Sequence, residues 1–254
     1  MRPAELIKER PVHWSDHPTR LTGAVLIVFA VCILFSFMFG IAASDVDPAE
    51  RDMIDDLLVD IEDNKGAAIV SLFFSVIDGV LGAIGAATLY LLLRDRNRFL
   101  ALSGLTLLLV AQAPFVISDI SNLTLIQLAS DFSEGGTEGI DAGSSSTLGD
   151  ARAVALIGDT GQILGITLLG LAIFAFGAII GWAPAGAVNP PRWLGWLAAI
   201  VGVTGVLVWL IFLGDFAGMF FAINGFATLI WLLALGVWLL SRAPATAPAE
   251  QKSV

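Results

Sequence analysis

A chain of 254 residues that is 57% hydrophobic and only 14% charged lies outside the composition of soluble globular domains. Its net charge of −10 is confined to short polar islands between long apolar runs, and no basic stripe is present to follow a phosphate backbone, so nucleic acid is excluded as a partner. The single cysteine, Cys32, rules out disulfides within the chain and cysteine-based zinc sites. The expected fold is an all-α membrane protein: six transmembrane helices in one bundle, plus short amphipathic helices in the outer loops.

Residues 1–20 read as a polar tail carrying Arg2, Lys8, Arg10 and Arg20. His13 and His17 stand at the spacing of a helical metal pair, but Pro11 and Pro18 bracket them and spoil a regular helix, so no metal is expected. Leu21–Ala43 is the first span. In the acidic loop Ser44–Lys65, Asp47-Pro48-Ala49-Glu50 has the composition of a helix start. After it, Ile54, Leu57, Leu58 and Ile61 recur at the spacing of a surface helix, lying on the bundle or at the membrane interface.

Ala67–Leu93, the second span, holds one charged residue, Asp78. Asp78 lies twelve residues past Gly66, about 18 Å along a helix and so near the bilayer midplane. Ser71, Ser75, Asp78, Gly79, Gly82, Gly85 and Ala86 share one face at ~100° per residue. Lipid cannot satisfy that stripe, so it should meet other helices or a cavity, with Gly79, Gly82 and Gly85 serving close helix packing.

Phe99–Ser118 is the third span, with a kink expected at Pro114 and with Gln112 and Asp119 on one face. Ser121–Phe132 shows a second weak amphipathic pattern, and Ser133–Gly149 has the composition of a flexible loop. Ala153–Trp182 is the fourth span; Gly158, Gly161, Gln162 and Gly165 cluster on one side of it, with Asp159 beside them. Trp193–Leu213 and Phe216–Leu240 complete the six, joined by a tight Gly214-Asp215 connection. The domain plan is therefore a tail over 1–20, a membrane domain over 21–240 and a disordered tail over 241–254. Its spans run over about 21–43, 67–93, 99–118, 153–182, 193–213 and 216–240.

Six spans put both termini on the same side as the 94–98 and 183–192 turns, and that side holds ten of the thirteen Lys and Arg residues. The excess makes that side cytoplasmic, in the plasma membrane of a prokaryote, with acidic extracytoplasmic loops opposite. Trp182, Trp193, Trp196 and Trp238 would then mark the cytoplasmic interface.

With that orientation Gln112, Asp119, Asp159, Gln162 and Asn224 fall in the outer half of the membrane, above an apolar inner half. An ionised Asp at the bilayer centre costs roughly 2.5–3.5 kcal/mol on insertion scales. No Lys, Arg or His lies within a span to pair with Asp78, so it is protonated, hydrated in a cavity, or bound to a cation. Asp78, Gln112, Asp159, Gln162 and Asn224 are the candidate residues for binding a ligand or ion, and Gly158, Gly161 and Gly165 are candidates for helix packing.

Both histidines stand in the tail and no lysine stands in a span, so haem, zinc-protease, Ser-His hydrolase and retinal chemistries lack their key residues. No nucleotide-binding motif appears either, and no cofactor is expected. Two aspartates, Asp78 and Asp159, leave an intramembrane aspartyl protease as a remote alternative. That family's Gly-x-Gly-Asp has Leu156 at its first glycine here, and Ile77 replaces the expected Tyr.

Leu89-Tyr90-Leu91-Leu92-Leu93-Arg94, Asn97-Arg98 and Leu100-Ala101-Leu102, together with Pro191-Arg192-Trp193-Leu194-Gly195, resemble a six-span prokaryotic family. It is catalogued as domain of unknown function 4386. The resemblance implies an integral membrane protein over residues 20–240 and transfers no active site; Leu109-Val110-Ala111-Gln112 stands where the family pattern would place an arginine. The functional expectation is a non-enzymatic protein that binds a small ligand, lipid or partner membrane protein through an outer polar pocket. The alternative is a proton- or cation-coupled small-solute transporter using Asp78 and Asp159.

Overall fold

The computed structural model describes residues 17–43, 54–134, 143–182, 190–209 and 217–241. They form seven helices and, among the described residues, no strand: α1 His17–Ala43, α2 Ile54–Asp63, α3 Lys65–Leu93, α4 Arg98–Glu134, α5 Gly143–Gly181, α6 Arg192–Leu207 and α7 Ala217–Ser241. Five of these, α1, α3, α4, α5 and α7, are long and apolar enough to cross a membrane, which makes this a multi-pass membrane protein. The apolar α6 has 16 residues, about 24 Å of helix, and falls short of the ~30 Å hydrocarbon thickness by itself. The expected Gly214-Asp215 connection, the His13–His17 pair and the Asp47-Pro48-Ala49-Glu50 helix start all involve positions outside the described residues.

Two boundaries depart from the hydropathy reading. The third span and the amphipathic stretch behind it are one helix, α4, of 37 residues with Pro114 inside it. Polar residues end an apolar run without ending a helix, and no glycine or proline stands between Phe115 and Phe132 to stop this one. Likewise α5 begins at Gly143 rather than near residue 153, inside the segment whose composition suggested a loop. Packing decides here: Ala151 is fully buried, and Leu148 and Val154 pack on the same cluster. At 1.5 Å per residue α4 and α5 are about 55 and 58 Å long, far more than a bilayer needs.

The surplus length has its own core. Ile54, Leu58 and Ile61 of α2 are buried against Leu125, Ile126 and Ala129 of α4 and Ala151 of α5. The amphipathic helix expected near residue 54 therefore exists, and its seat is the pair α4–α5. Its other face, with Asp55, Asp56 and Asp63, is exposed.

The remaining helices follow chain order in space. Each of α1, α3, α4, α5, α6 and α7 packs on the next, and α7 returns to α1. Their common core joins Leu26 and Phe29 with Leu89, Leu108, Ile173, Phe176, Leu194, Trp231 and Leu235. Trp231 is almost fully buried and its Nε1 donates to the Leu194 carbonyl at 3.0 Å, satisfying the indole and tying α7 to α6. A void of about 10 Å³ lined by Leu26, Phe29, Leu89, Leu108, Phe176 and Trp231 remains at the centre; it is apolar and too small to hold water stably.

The α5–α6 contact brings backbone against backbone, and a Cβ added at Gly177 would overlap the Cβ of Ala198. Gly177→Ala should therefore cost about 1–3 kcal/mol by overpacking. Gly225, which has nothing within 4 Å of its would-be Cβ, should tolerate alanine with no loss. Thermal unfolding of the two variants in detergent, compared with the parent, checks this contrast.

Candidate functional site

The small face of α3 is pressed into the groove between α1 and α4. A Cβ on Gly82 would lie 3.2 Å from the Phe29 ring, and one on Gly85 would lie 3.4 Å from Leu26. One turn toward the start of α3, Gly79 leaves room for Gln112 of α4, whose Oε1 would be 3.0 Å from a Cβ there. Gln112 donates its Nε2 to the Leu108 carbonyl at 3.1 Å on its own helix, which turns Oε1 toward α3.

A further turn toward the start of α3, Ser75 donates its Oγ to Asp119 Oδ1 at 2.7 Å. Asp78 stands three residues beyond Ser75 on the same face of α3. Ser75, Asp78, Gln112 and Asp119 are all half-buried. They form one polar group on the facing sides of α3 and α4, with α1 behind it.

A second link ties α3 to α1 farther out. Ser71 Oγ donates to the Ser36 carbonyl at 2.9 Å, and Ser36 Oγ donates back to the Ser71 carbonyl at 3.3 Å. Around them Phe74 stacks on Phe35 and Phe39, with ring centroids 5.2 and 6.3 Å apart.

Of the residues selected from sequence, Asp78 and Gln112 belong to this group. Asn224 belongs elsewhere. Its Nδ2 donates to the Val201 carbonyl at 2.7 Å and to Thr204 Oγ1 at 3.1 Å, within a buried seam where Thr167 Oγ1 also donates to the Gly205 carbonyl at 2.8 Å. That is how a buried amide is satisfied inside apolar surroundings, and it bolts α7 to α6. Gln162 is exposed on α5, outside the group, and Asp159 is half-buried one residue from Gly158.

The glycines of α5 explain these positions. Gly158 meets Ser121, Gly161 meets the Pro114 carbonyl, and Gly165 meets the Phe115 ring, so this face is spent on α4. Residues one step round the helix, such as Asp159 and Gln162, are rotated by ~100° from that contact. Asp119 and Ser75 were the residues not selected. The signal for them was present: Asp119 shares a face with Gln112 seven residues earlier, and Ser75 lies on the polar stripe of Asp78.

Chemically the group is rich in acceptors. Two carboxyl groups, an amide oxygen and a hydroxyl converge, and no Lys, Arg or His lies between Gly66 and Leu93 of α3 or between Phe99 and Ser133 of α4 to answer them. Such a set suits a proton, a cation or a ligand that donates hydrogen bonds.

A family model described as Domain of unknown function (DUF4386) matches residues 21–243, from the start of the first apolar helix to just past the last. No curated protein and no solved structure matches the chain. With a match that takes in all but the first turn of α1 and the whole of α2 to α7, the chain belongs to the DUF4386 family.

Proposed function

We propose that this protein is a non-enzymatic receptor-like membrane protein that takes a small ligand, a lipid or a partner membrane protein from the outer side, at the group of Ser75, Asp78, Gln112 and Asp119. The observation that carries this reading is the convergence of four half-buried polar side chains from α3 and α4 above an apolar core. A purely structural role accounts for them poorly. Hydrogen bonds between membrane helices average about 0.6 kcal/mol, while a carboxyl group near the midplane costs several times that.

In this reading α6 and the residues after it complete a sixth span. The six helices form one bundle over 21–240, flanked by cytoplasmic tails over 1–20 and 241–254, in the plasma membrane of a prokaryote. The contact of α7 with α1 and the shared core support a closed bundle. The orientation rests on the ten Lys and Arg residues of the inner side and on Trp182, Trp193 and Trp196, all exposed where α5 ends and α6 begins.

The second reading is coupled transport of a proton or cation, with Asp119 rather than Asp159 as the partner of Asp78. Asp119 accepts from Ser75, which shares the α3 face of Asp78, and that favours the pairing. Against transport stands the apolar packing of Phe29, Leu89, Leu108 and Phe176 inward of the group, which leaves no watery route through the centre. An aspartyl protease would require Asp159 to meet Asp78, and Gly158, beside Asp159, packs on Ser121 of α4.

The two readings diverge for Asp78→Asn. Reconstituted in liposomes under imposed proton and sodium gradients, the parent protein should show no flux above protein-free vesicles. Mass spectrometry of lipid-nanodisc samples should find a co-purifying small molecule, lipid or membrane protein reduced about tenfold in Asp78→Asn, as expected for about 1.4 kcal/mol of lost contact. Gradient-driven flux that Asp78→Asn abolishes would instead establish transport. Orientation is checked separately in cells, on a Cys32→Ser background. An impermeant thiol reagent should label Asp131→Cys from outside and reach Trp196→Cys only after the membrane is permeabilised.

A further inference from the structure

The two sides of α6 differ sharply. Leu194, Ala198, Val201 and Gly205 are buried on one side of the helix. On the opposite side Arg192, Trp196, Ile200 and Val203 recur at i, i+4, i+8 and i+11, and all four are exposed. Because α6 packs on α5 and α7, both of membrane-crossing length, its exposed stripe faces the bilayer. From Arg192 to Val203 the stripe runs about 16 Å, which matches the hydrocarbon depth of one leaflet.

The residues along the stripe follow the layers of that leaflet. A cation stands at headgroup level, an indole lies one turn deeper at the interface, and branched aliphatic side chains follow where acyl chains lie. Trp193 is 51% exposed beside the arginine, and Trp182 is 77% exposed at the end of α5. The helices meet there backbone to backbone, since a Cβ on Gly181 would lie 3.3 Å from the Cα of Gly195. Trp182 and Arg192 are thus brought to the same corner of the α5–α6 pair.

The guanidinium of Arg192 has no acid to answer it. Among the described residues no carboxylate pairs with it, whereas Arg94 has Asp95 at 3.8 Å. The chain itself holds no Asp or Glu between Asp159 and Asp215, so neither the inner part of α5 nor α6 can supply one. A forked donor at a membrane surface matches the geometry and the charge of a phosphate. We propose that α6 carries a seat for an anionic phospholipid, with the phosphate on Arg192, the glycerol region beside Trp193 and Trp196, and an acyl chain along Ile200 and Val203. The seat is separate from the group of Ser75, Asp78, Gln112 and Asp119, which lies on α3 and α4.

The test is native mass spectrometry of the full-length protein, delipidated in detergent and titrated with equal amounts of phosphatidylglycerol and phosphatidylcholine carrying the same acyl chains. The parent should retain phosphatidylglycerol about fivefold over phosphatidylcholine, the scale of one arginine at a membrane surface. Arg192→Gln should abolish that preference. Arg98→Gln, which removes an exposed cation at the start of α4, should leave it unchanged and so separates a seat on α6 from a general attraction to basic helix ends. Trp196→Ala should lower the retention of both lipids together. Equal retention of the two lipids by the parent, a preference that survives Arg192→Gln or is lost equally with Arg98→Gln, or full retention in Trp196→Ala would overturn the seat.

Discussion

The arrangement depends on how closely α4 and α5 approach. Lipid offers no hydrophobic drive to bring apolar helices together, so contact area between them must come from packing. Gly158, Gly161 and Gly165 provide it by admitting Ser121, the Pro114 carbonyl and Phe115 to the surface of α5. The same contact explains why Pro114 is tolerated inside a 37-residue helix: α5 fits against the backbone at that point. These two helices then project together beyond the bilayer, and α2 has something to fold against. Without the pair, Ile54, Leu58 and Ile61 would have no apolar partner and a ten-residue helix would not form in water.

Two polar clusters in the same molecule meet opposite fates, and the difference separates structure from candidate function. Around Asn224 the amide nitrogen has two acceptors at 2.7 and 3.1 Å, and the side chain is almost wholly buried. It is neutral and bonded to its neighbours, a satisfied core residue. Around Asp78 and Asp119 the groups are ionisable, half-buried and mutually repulsive when both are charged, with Ser75 as the one hydroxyl donor bonded between the helices. Energy spent on an arrangement of that kind is recovered when a proton, a cation or a donor-bearing ligand is present.

Much of the fold was legible in the residues. Apolar length alone located α1, α3 and α7 to within a few positions, because a stretch of 20 or more predominantly apolar residues is what a membrane-crossing helix needs. The spacing of Ile54, Leu58 and Ile61 announced α2. The outer ends of α4 and α5 were not legible from hydropathy, which changes where a helix leaves lipid and not where it stops; their partners lay on a different segment, α2. The site was half legible. Depth in the membrane can be read from counting, and depth joined Asp78 to Asn224 and Gln162. Rotation about each helix separates them: α5 turns its glycines to α4 and leaves Gln162 outside, while Asn224 turns to α6. Asp119 was read at that depth and on the face of Gln112, but it was left out of the candidate set because a carboxylate at the end of an apolar run reads as the end of a span.

The position of the polar group within the packing also bears on motion. Of the apolar window of α3 only 6% of residues are buried within the protein, against 67% for α5. The end of α3 with Ala86, Leu89 and Leu93 is buried in the common core, so the lightly packed part is the stretch before Gly82; displacing α5 would expose Ile173 and Phe176 and empty the centre. What restrains α3 is specific and local: the exchange between Ser36 and Ser71, the Ser75–Asp119 bond, and the rings seated on Gly82 and the residues around it. Each restraint is a hydrogen bond or a small-residue contact worth about 1 kcal/mol or less in a membrane. A change of charge at Asp78 or Asp119 acts on the Ser75–Asp119 bond, which together with Lys65 to Ser130 joins α3 to α4.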